Sequence, residues 1–277
     1  MKIFSPFEIL RAGALGLCFA MLGFTPGTAG AAFEPPLENS CINCHQDLAV
    51  ERLSRPVTLW ASSVHAEVGN TCDGCHGGDP KDPTEKSMSD GNQFYLGPKE
   101  EEVTGFCGKC HQELSEYFQQ SAHWATGTQN CIQCHGTHTV QRISLEIIDP
   151  EKCGTCHGYE SADKLKGVLS GLHDRFGASR EKIKLIKGLP TQPLESELDK
   201  VWKQLRQVRM VSHTFDMTRI EKKAEEVKAL MVTMETEIAR LERIEQERKL
   251  LGWGLILLFT ALAMATYLYN RTEKIIE

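Results

Sequence analysis

Cys41-Ile42-Asn43-Cys44-His45 opens a series of five Cys-x-x-Cys-His motifs, continued by Cys72–His76, Cys107–His111, Cys131–His135 and Cys153–His157. A lone Cys-x-x-Cys suits a zinc knuckle or a thiol redox pair. Five copies, each with histidine in the next position, suit neither, because zinc takes its ligands in fours and a redox pair has no use for the histidine. The spacing instead predicts covalent attachment of c-type haem. Two thiols add to vinyl groups on one porphyrin edge, and the adjacent histidine turns under the ring to reach iron. Cys41, Cys44, Cys72, Cys75, Cys107, Cys110, Cys131, Cys134, Cys153 and Cys156 are thus the attachment residues for five haems, with His45, His76, His111, His135 and His157 as proximal iron ligands. The remaining cysteine is Cys18.

That chemistry requires export, and residues 1–31 read as a signal peptide. Lys2 and Arg11 are its basic residues, Ala12 to Phe24 its apolar stretch and Ala29-Gly30-Ala31 its cleavage site. Cleavage would remove Cys18 along with two cations and one anion (Lys2, Arg11 and Glu8), taking the formal charge from −6 to −7. An acidic exported head argues against nucleic acid as partner and for redox proteins with basic docking surfaces. At the other end, Leu250 to Tyr269 is uncharged and apolar, with Trp253, Tyr267 and Tyr269 near its edges. It has the length of a single membrane span. The expected arrangement is a single-pass protein of the cytoplasmic membrane, its haem head on the periplasmic side and residues 270–277 in the cytoplasm.

The head repeats itself. Cys41–His45-Gln46-Asp47-Leu48, Ser63-Val64-His65 and Cys72–His76-Gly77 correspond to Cys107–His111-Gln112-Glu113-Leu114, Ser121-Ala122-His123 and Cys131–His135-Gly136. Ten histidines are present, so five are spare: His65, His123, His138, His173 and His213. Five irons ligated by two histidines each would use them all, and these five are the distal candidates. Sequence proximity suggests His65 for the iron of His45 and His123 for that of His111. Histidine on both faces describes an electron carrier with nowhere to bind substrate.

From Leu194 to Leu251 there is neither Gly nor Pro. Leu194, Leu198, Val201, Leu205 and Val208 form one apolar stripe; Ile220, Ala224, Val227, Met231, Met234, Ile238 and Leu241 form a second. The stripes fall out of phase around Ser212–Thr218, and Thr218-Arg219-Ile220-Glu221 fits a capping box. Either a helical hairpin packs back on the haem head, or the second stripe pairs two subunits. A helix running straight from His213 to Leu250 would hold that histidine ~55 Å from the span.

The predicted fold class is mainly α with long loops. Residues 1–31 are the signal peptide, 32–177 a head built around five packed haems, 178–249 a helical stalk, 250–269 the span and 270–277 the tail. Short helices are expected after each motif histidine. On its motifs and spare histidines the chain resembles the multihaem cytochromes c, the class that includes the cytochrome c554 and NrfB-like electron carriers and the haem domains of hydroxylamine-oxidoreductase-like proteins. The resemblance covers about Cys41 to His173 and implies electron transfer between a quinone-linked membrane complex and periplasmic partners. One alternative is a quinol dehydrogenase like the NapC/NirT proteins, although those carry their anchor at the N-terminus. Another is an enzyme acting on a small nitrogen or sulfur compound at one open haem. The Cys-x-x-Cys-Lys site of many pentahaem nitrite reductases is absent, which counts against nitrite reduction.

Overall fold

A computed structural model describes residues 39–276; the signal peptide and Cys18 lie outside the described residues. The described chain is mainly helical, and no strand occurs among its residues. The head carries α1 (Ser40–His45), α2 (Glu51–Ala61), α3 (Val64–Glu67), α4 (Cys72–His76), α5 (Val103–Gly108), α6 (Gln112–Phe118), α7 (Ala122–Thr126), α8 (Cys131–His135) and α9 (Pro150–Cys153). Three long helices follow: α10 (Glu160–Leu185), α11 (Gln192–Val211) and α12 (Met217–Ile276).

The motifs are themselves helical. In α1, α4 and α8 the Cys-x-x-Cys-His run forms the helix, whereas the expectation placed helices after the histidine. In α1 and α8 a polar residue ahead of the motif explains the difference, because its side chain satisfies the first free N–H groups of the turn; Asp149 does the same for α9, which reaches only Cys153, and Thr71 ahead of α4 makes no such bond. Asn39 accepts from the amides of Cys41 (3.1 Å) and Ile42 (3.3 Å), Asn130 from that of Ile132 (3.1 Å), and Asp149 from that of Lys152 (2.9 Å).

The sequence repeat is also a structural one. Ser63 Oγ caps the Ala66 amide at 3.2 Å and Ser121 Oγ caps Trp124 at 3.1 Å, each buried and each two residues before its histidine. Gly77 and Gly136 end the second motif of each copy with φ of 66° and 76°. At Gly77 the need for glycine is twofold, since a Cβ would also meet the Gln93 carbonyl oxygen at 2.3 Å.

Side chains alone give the head little core. Among the described residues before α10, only Ile42, Trp60, Ala66, Val103 and Phe118 are buried apolar residues. The long helices, by contrast, form a three-helix bundle through eighteen. The α10 and α12 helices run parallel: Lys164 pairs with Glu221 (2.7 Å) near the head and Arg175 with Glu235 (2.7 Å) midway, while Arg248 reaches the Gly188 carbonyl (3.1 Å) at the far end. The α11 helix returns between these levels.

Both apolar stripes are consumed here. Leu194, Val201, Leu205 and Val208 on α11 and Ile220, Val227, Met231 and Ile238 on α12 are buried, along with Leu165, Leu172 and Phe176 of α10. The second stripe is therefore covered within its own chain, by α10 and α11 of the bundle and not by the head. The expected boundary at 177/178 falls inside α10, and the bundle begins at Glu160.

The phase shift between stripes marks a reversal. After α11 come a 3-10 turn, Ser212–Thr214, and Phe215 in the left-handed region (φ 52°). Asp216, not Thr218, caps the next helix, accepting from the amides of Thr218 (3.0 Å) and Arg219 (3.2 Å). From there α12 runs unbroken through Leu250–Tyr269, and this part of the helix is long and apolar enough to cross a membrane, with none of it buried by protein.

Candidate functional site

In α1, α4 and α8 the three functional groups of the motif fall on one side of a single turn, since positions i, i+3 and i+4 are neighbours on a helix, whereas Cys110–His111 and Cys156–His157 lie in turns just past α5 and α9. In each motif the first cysteine is half-buried and the second exposed, and none of the ten is in a disulfide. Thiols of successive motifs adjoin. Burial and then the nearby Cys41 push Cys72 up to about 11. Burial raises Cys75, with Cys110 adding to it, and raises Cys134, with Cys153 adding to it. Cys107 donates to Cys131, which raises Cys107 and holds Cys131 down at about 6. The motifs are thus strung together in sequence order.

Histidine rings meet in four pairs. His76 and His138 stand with centroids 6.1 Å apart and planes 17° apart; His123 and His157 at 6.1 Å and 14°; His135 and His213 at 6.3 Å and 14°; His65 and His111 at 6.2 Å and 40°. Each pair joins one motif histidine to one spare histidine. The separation is too long for stacked contact, but it fits a metal held between two ring nitrogens. Two bonds of the ~2.0 Å typical of imidazole and zinc, plus about 1.1 Å within each ring, give about 6.2 Å.

Protonation supports the same use. Burial, the largest cause, lowers the pKa of His65, His123, His135, His138 and His213, and the facing histidine lowers the first four further. They are held in the neutral form that ligates metal. Several Nδ1 atoms donate to carbonyls: His76 to Tyr95 (2.9 Å), His157 to Gly158 (2.8 Å), His213 to Arg209 (3.0 Å) and His45 to Leu53 (3.2 Å). A proton on Nδ1 leaves the Nε2 lone pair free, the usual arrangement behind a ligating histidine. Among the described residues no group of three or more His, Cys, Asp or Glu converges as a metal site. Paired histidines therefore suit a metal whose remaining ligands come from a macrocycle, and haem c meets that need at thiols one residue away.

The local pairing suggested by sequence is corrected. His65 faces His111 and not His45, and His123 faces His157 and not His111. His138 faces His76, and the hairpin tip between α11 and α12 delivers His213 to His135. His173 joins no pair. It is exposed on α10, and Arg209 donates to its Nδ1 at 3.3 Å. A guanidinium only donates, so Nδ1 is the acceptor and the neutral ring carries its proton on Nε2. That is the wrong tautomer for a ligand, so the expected distal role of His173 is not met.

Two residues were not singled out by sequence. Phe215 lies edge-on to His123 at 4.5 Å, and its left-handed backbone is uncommon for an aromatic residue. Arg209 serves two histidines, accepting from His213 through its carbonyl and donating to His173 through its side chain. No protein-family model, no curated protein and no solved structure matches the chain.

Proposed function

We propose that this chain is a membrane-anchored electron carrier holding five covalent haems, which passes electrons between a membrane complex and soluble redox proteins. The carrying observation is the set of four histidine pairs at 6.1–6.3 Å, each joining a Cys-x-x-Cys-His histidine to one outside the motifs. Haem c bound there supplies one-electron centres, and histidine rather than methionine on the second face sets them at lower potential.

The chain's own residues do the rest. The paired imidazoles would hold each iron between them, and burial keeps five of the rings, His65, His123, His135, His138 and His213, toward the neutral form. Carbonyls of Tyr95, Gly158 and Arg209 orient three of the rings. Adjacent thiols in successive motifs order the centres as the sequence does, so electrons have one path with two ends. The apolar end of α12 serves as the anchor, with the head on the exported side.

Direct oxidation of a membrane quinol is the second reading, and the bundle disfavours it. His213 lies in the turn just before α12, and the helix from Met217 to Leu250 is ~50 Å long. The other links between head and bundle, Gln120 to Arg219 (2.8 Å) and Glu146 to Lys166 (3.8 Å), also lie at that end. The hairpin folds back, yet it carries the head away from the span.

Intact mass of the mature protein should exceed that of the polypeptide by five haems; a lower count after full maturation overturns the reading. Purified protein in detergent, given a menaquinol analogue and no partner, should be reduced slowly. Fast reduction abolished by a quinone-site inhibitor would favour the dehydrogenase.

A further inference from the structure

Two of the four pairs share a forward register, while His76 and His135, the second motif of each repeat, are met from downstream by His138 and His213. The spare histidine of the first repeat, His65, serves the first motif of the second repeat, at His111. The spare histidine of the second repeat, His123, serves the next motif along, at His157. Each is handed forward past the motif that follows it. By this register a histidine for His45 would have to precede Asn39, and residues 1–38 contain none.

The rest of the inventory leads to the same place. All ten histidines lie among the described residues: eight form the four pairs, and His45 and His173 remain. His173 is engaged by Arg209 in the non-ligating tautomer, on the bundle. His45 nevertheless has the ligating arrangement, with Nδ1 on the Leu53 carbonyl at 3.2 Å. Its motif is also an end of the series, since Cys41 adjoins Cys72 and no earlier motif exists in the sequence.

We propose that the iron carried by His45, alone among the five, keeps one axial position for an added small neutral ligand. The inference rests on the electron-carrier reading above and gives that carrier one terminal binding site. The ligand class follows from the surroundings. Asp73 and Asp79 lie close enough to Cys41 to raise its pKa, after burial, and Asp73 also accepts from Asn39 at the start of α1 (3.2 Å). Carboxylates there disfavour an anion such as nitrite and tolerate a neutral diatomic such as carbon monoxide or nitric oxide.

Carbon monoxide titration of the fully reduced five-haem protein is the test, with electron paramagnetic resonance of the oxidised protein as a second readout. One equivalent of carbon monoxide and one high-spin signal beside four low-spin ones are expected. His173→Ala should leave both unchanged. A Cys41→Ser/Cys44→Ser double variant should carry four haems and bind no carbon monoxide. Wild type that binds none, with five low-spin irons, overturns the proposal whichever group fills the position; a gain of binding in His173→Ala would identify that group. Carbon monoxide binding that persists in the double variant overturns the assignment to His45. If the double variant does not accumulate, the wild-type spectrum alone still decides between one open iron and none. Protein without covalent haem would overturn the electron-carrier reading as well, whereas five haems and no carbon monoxide would overturn this inference alone.

Discussion

Leu172→Ala should loosen the bundle and, through it, one iron. Leu172 is 1% exposed on the inner face of α10, against both α11 and α12. Truncation removes three carbons from a close-packed site, about 2.4 kcal/mol at ~0.8 kcal/mol per methylene. The cavity left behind brings the loss to about 3–4 kcal/mol, within the ~2.7–5.0 kcal/mol range for buried leucines. For a unit of this size each kcal/mol lowers the melting point by roughly 2–4 °C, so a fall of roughly 6–16 °C is expected. Leu185→Ala is the control: on the same helix but 70% exposed, it should change stability by less than about 0.5 kcal/mol. The assay is thermal melting followed by far-ultraviolet circular dichroism and haem absorbance on one sample. Because the α11–α12 turn presents His213 to His135, melting of the bundle should withdraw that ring, and a high-spin band should grow in at the same midpoint. A Leu172→Ala loss below about 1 kcal/mol, or a haem transition well separated from the helical one, would refute the coupling.

Other substitutions test single features. His65→Ala and His123→Ala should each add one equivalent of carbon monoxide binding to whatever wild type shows, and together two; no gain from either would break the pairing. Gly77→Ala should cost clearly more than Gly127→Ala, although their φ values are alike (66° and 65°), because only the former meets a carbonyl oxygen; chemical denaturation ranks them. Arg175→Ala, which removes a bidentate but half-exposed ion pair to Glu235, should cost no more than about 1 kcal/mol and less still at high salt. A chain ending at Arg248 should leave the membrane fraction, while recovery of that protein in membranes would point to a second attachment.

The sequence was most legible where chemistry demands a fixed spacing. The five motifs, the two apolar stripes and the break in phase between them could be read directly, because thiol spacing and helical period are local properties. Pairing of histidines was not legible. His65 lies closer in sequence to His45 than to His111, and the pairing is decided by tertiary placement, which sequence proximity does not report. The tautomer of His173 was equally hidden, for it depends on Arg209, thirty-six residues away on another helix. Whether the second stripe met its own chain or a twin was a question of tertiary packing, on which periodicity is silent. The capping box at Thr218 was outcompeted by Asp216, two residues earlier, whose carboxylate reaches the free amides first.

The unbroken α12 has a consequence for encounter. A single rod of sixty residues, ~90 Å long and braced along half its length by two neighbours, fixes how far the head stands from the apolar segment 250–269. Freely diffusing proteins meet the head wherever it is, but a membrane-bound donor is confined to the same plane and meets it only if it rises to the same height. Stature, set by the number of residues between Met217 and Leu250, would then sort membrane partners before any surface charge is felt. Adding or deleting two full heptads there would move the head by ~21 Å while keeping the buried stripe in phase.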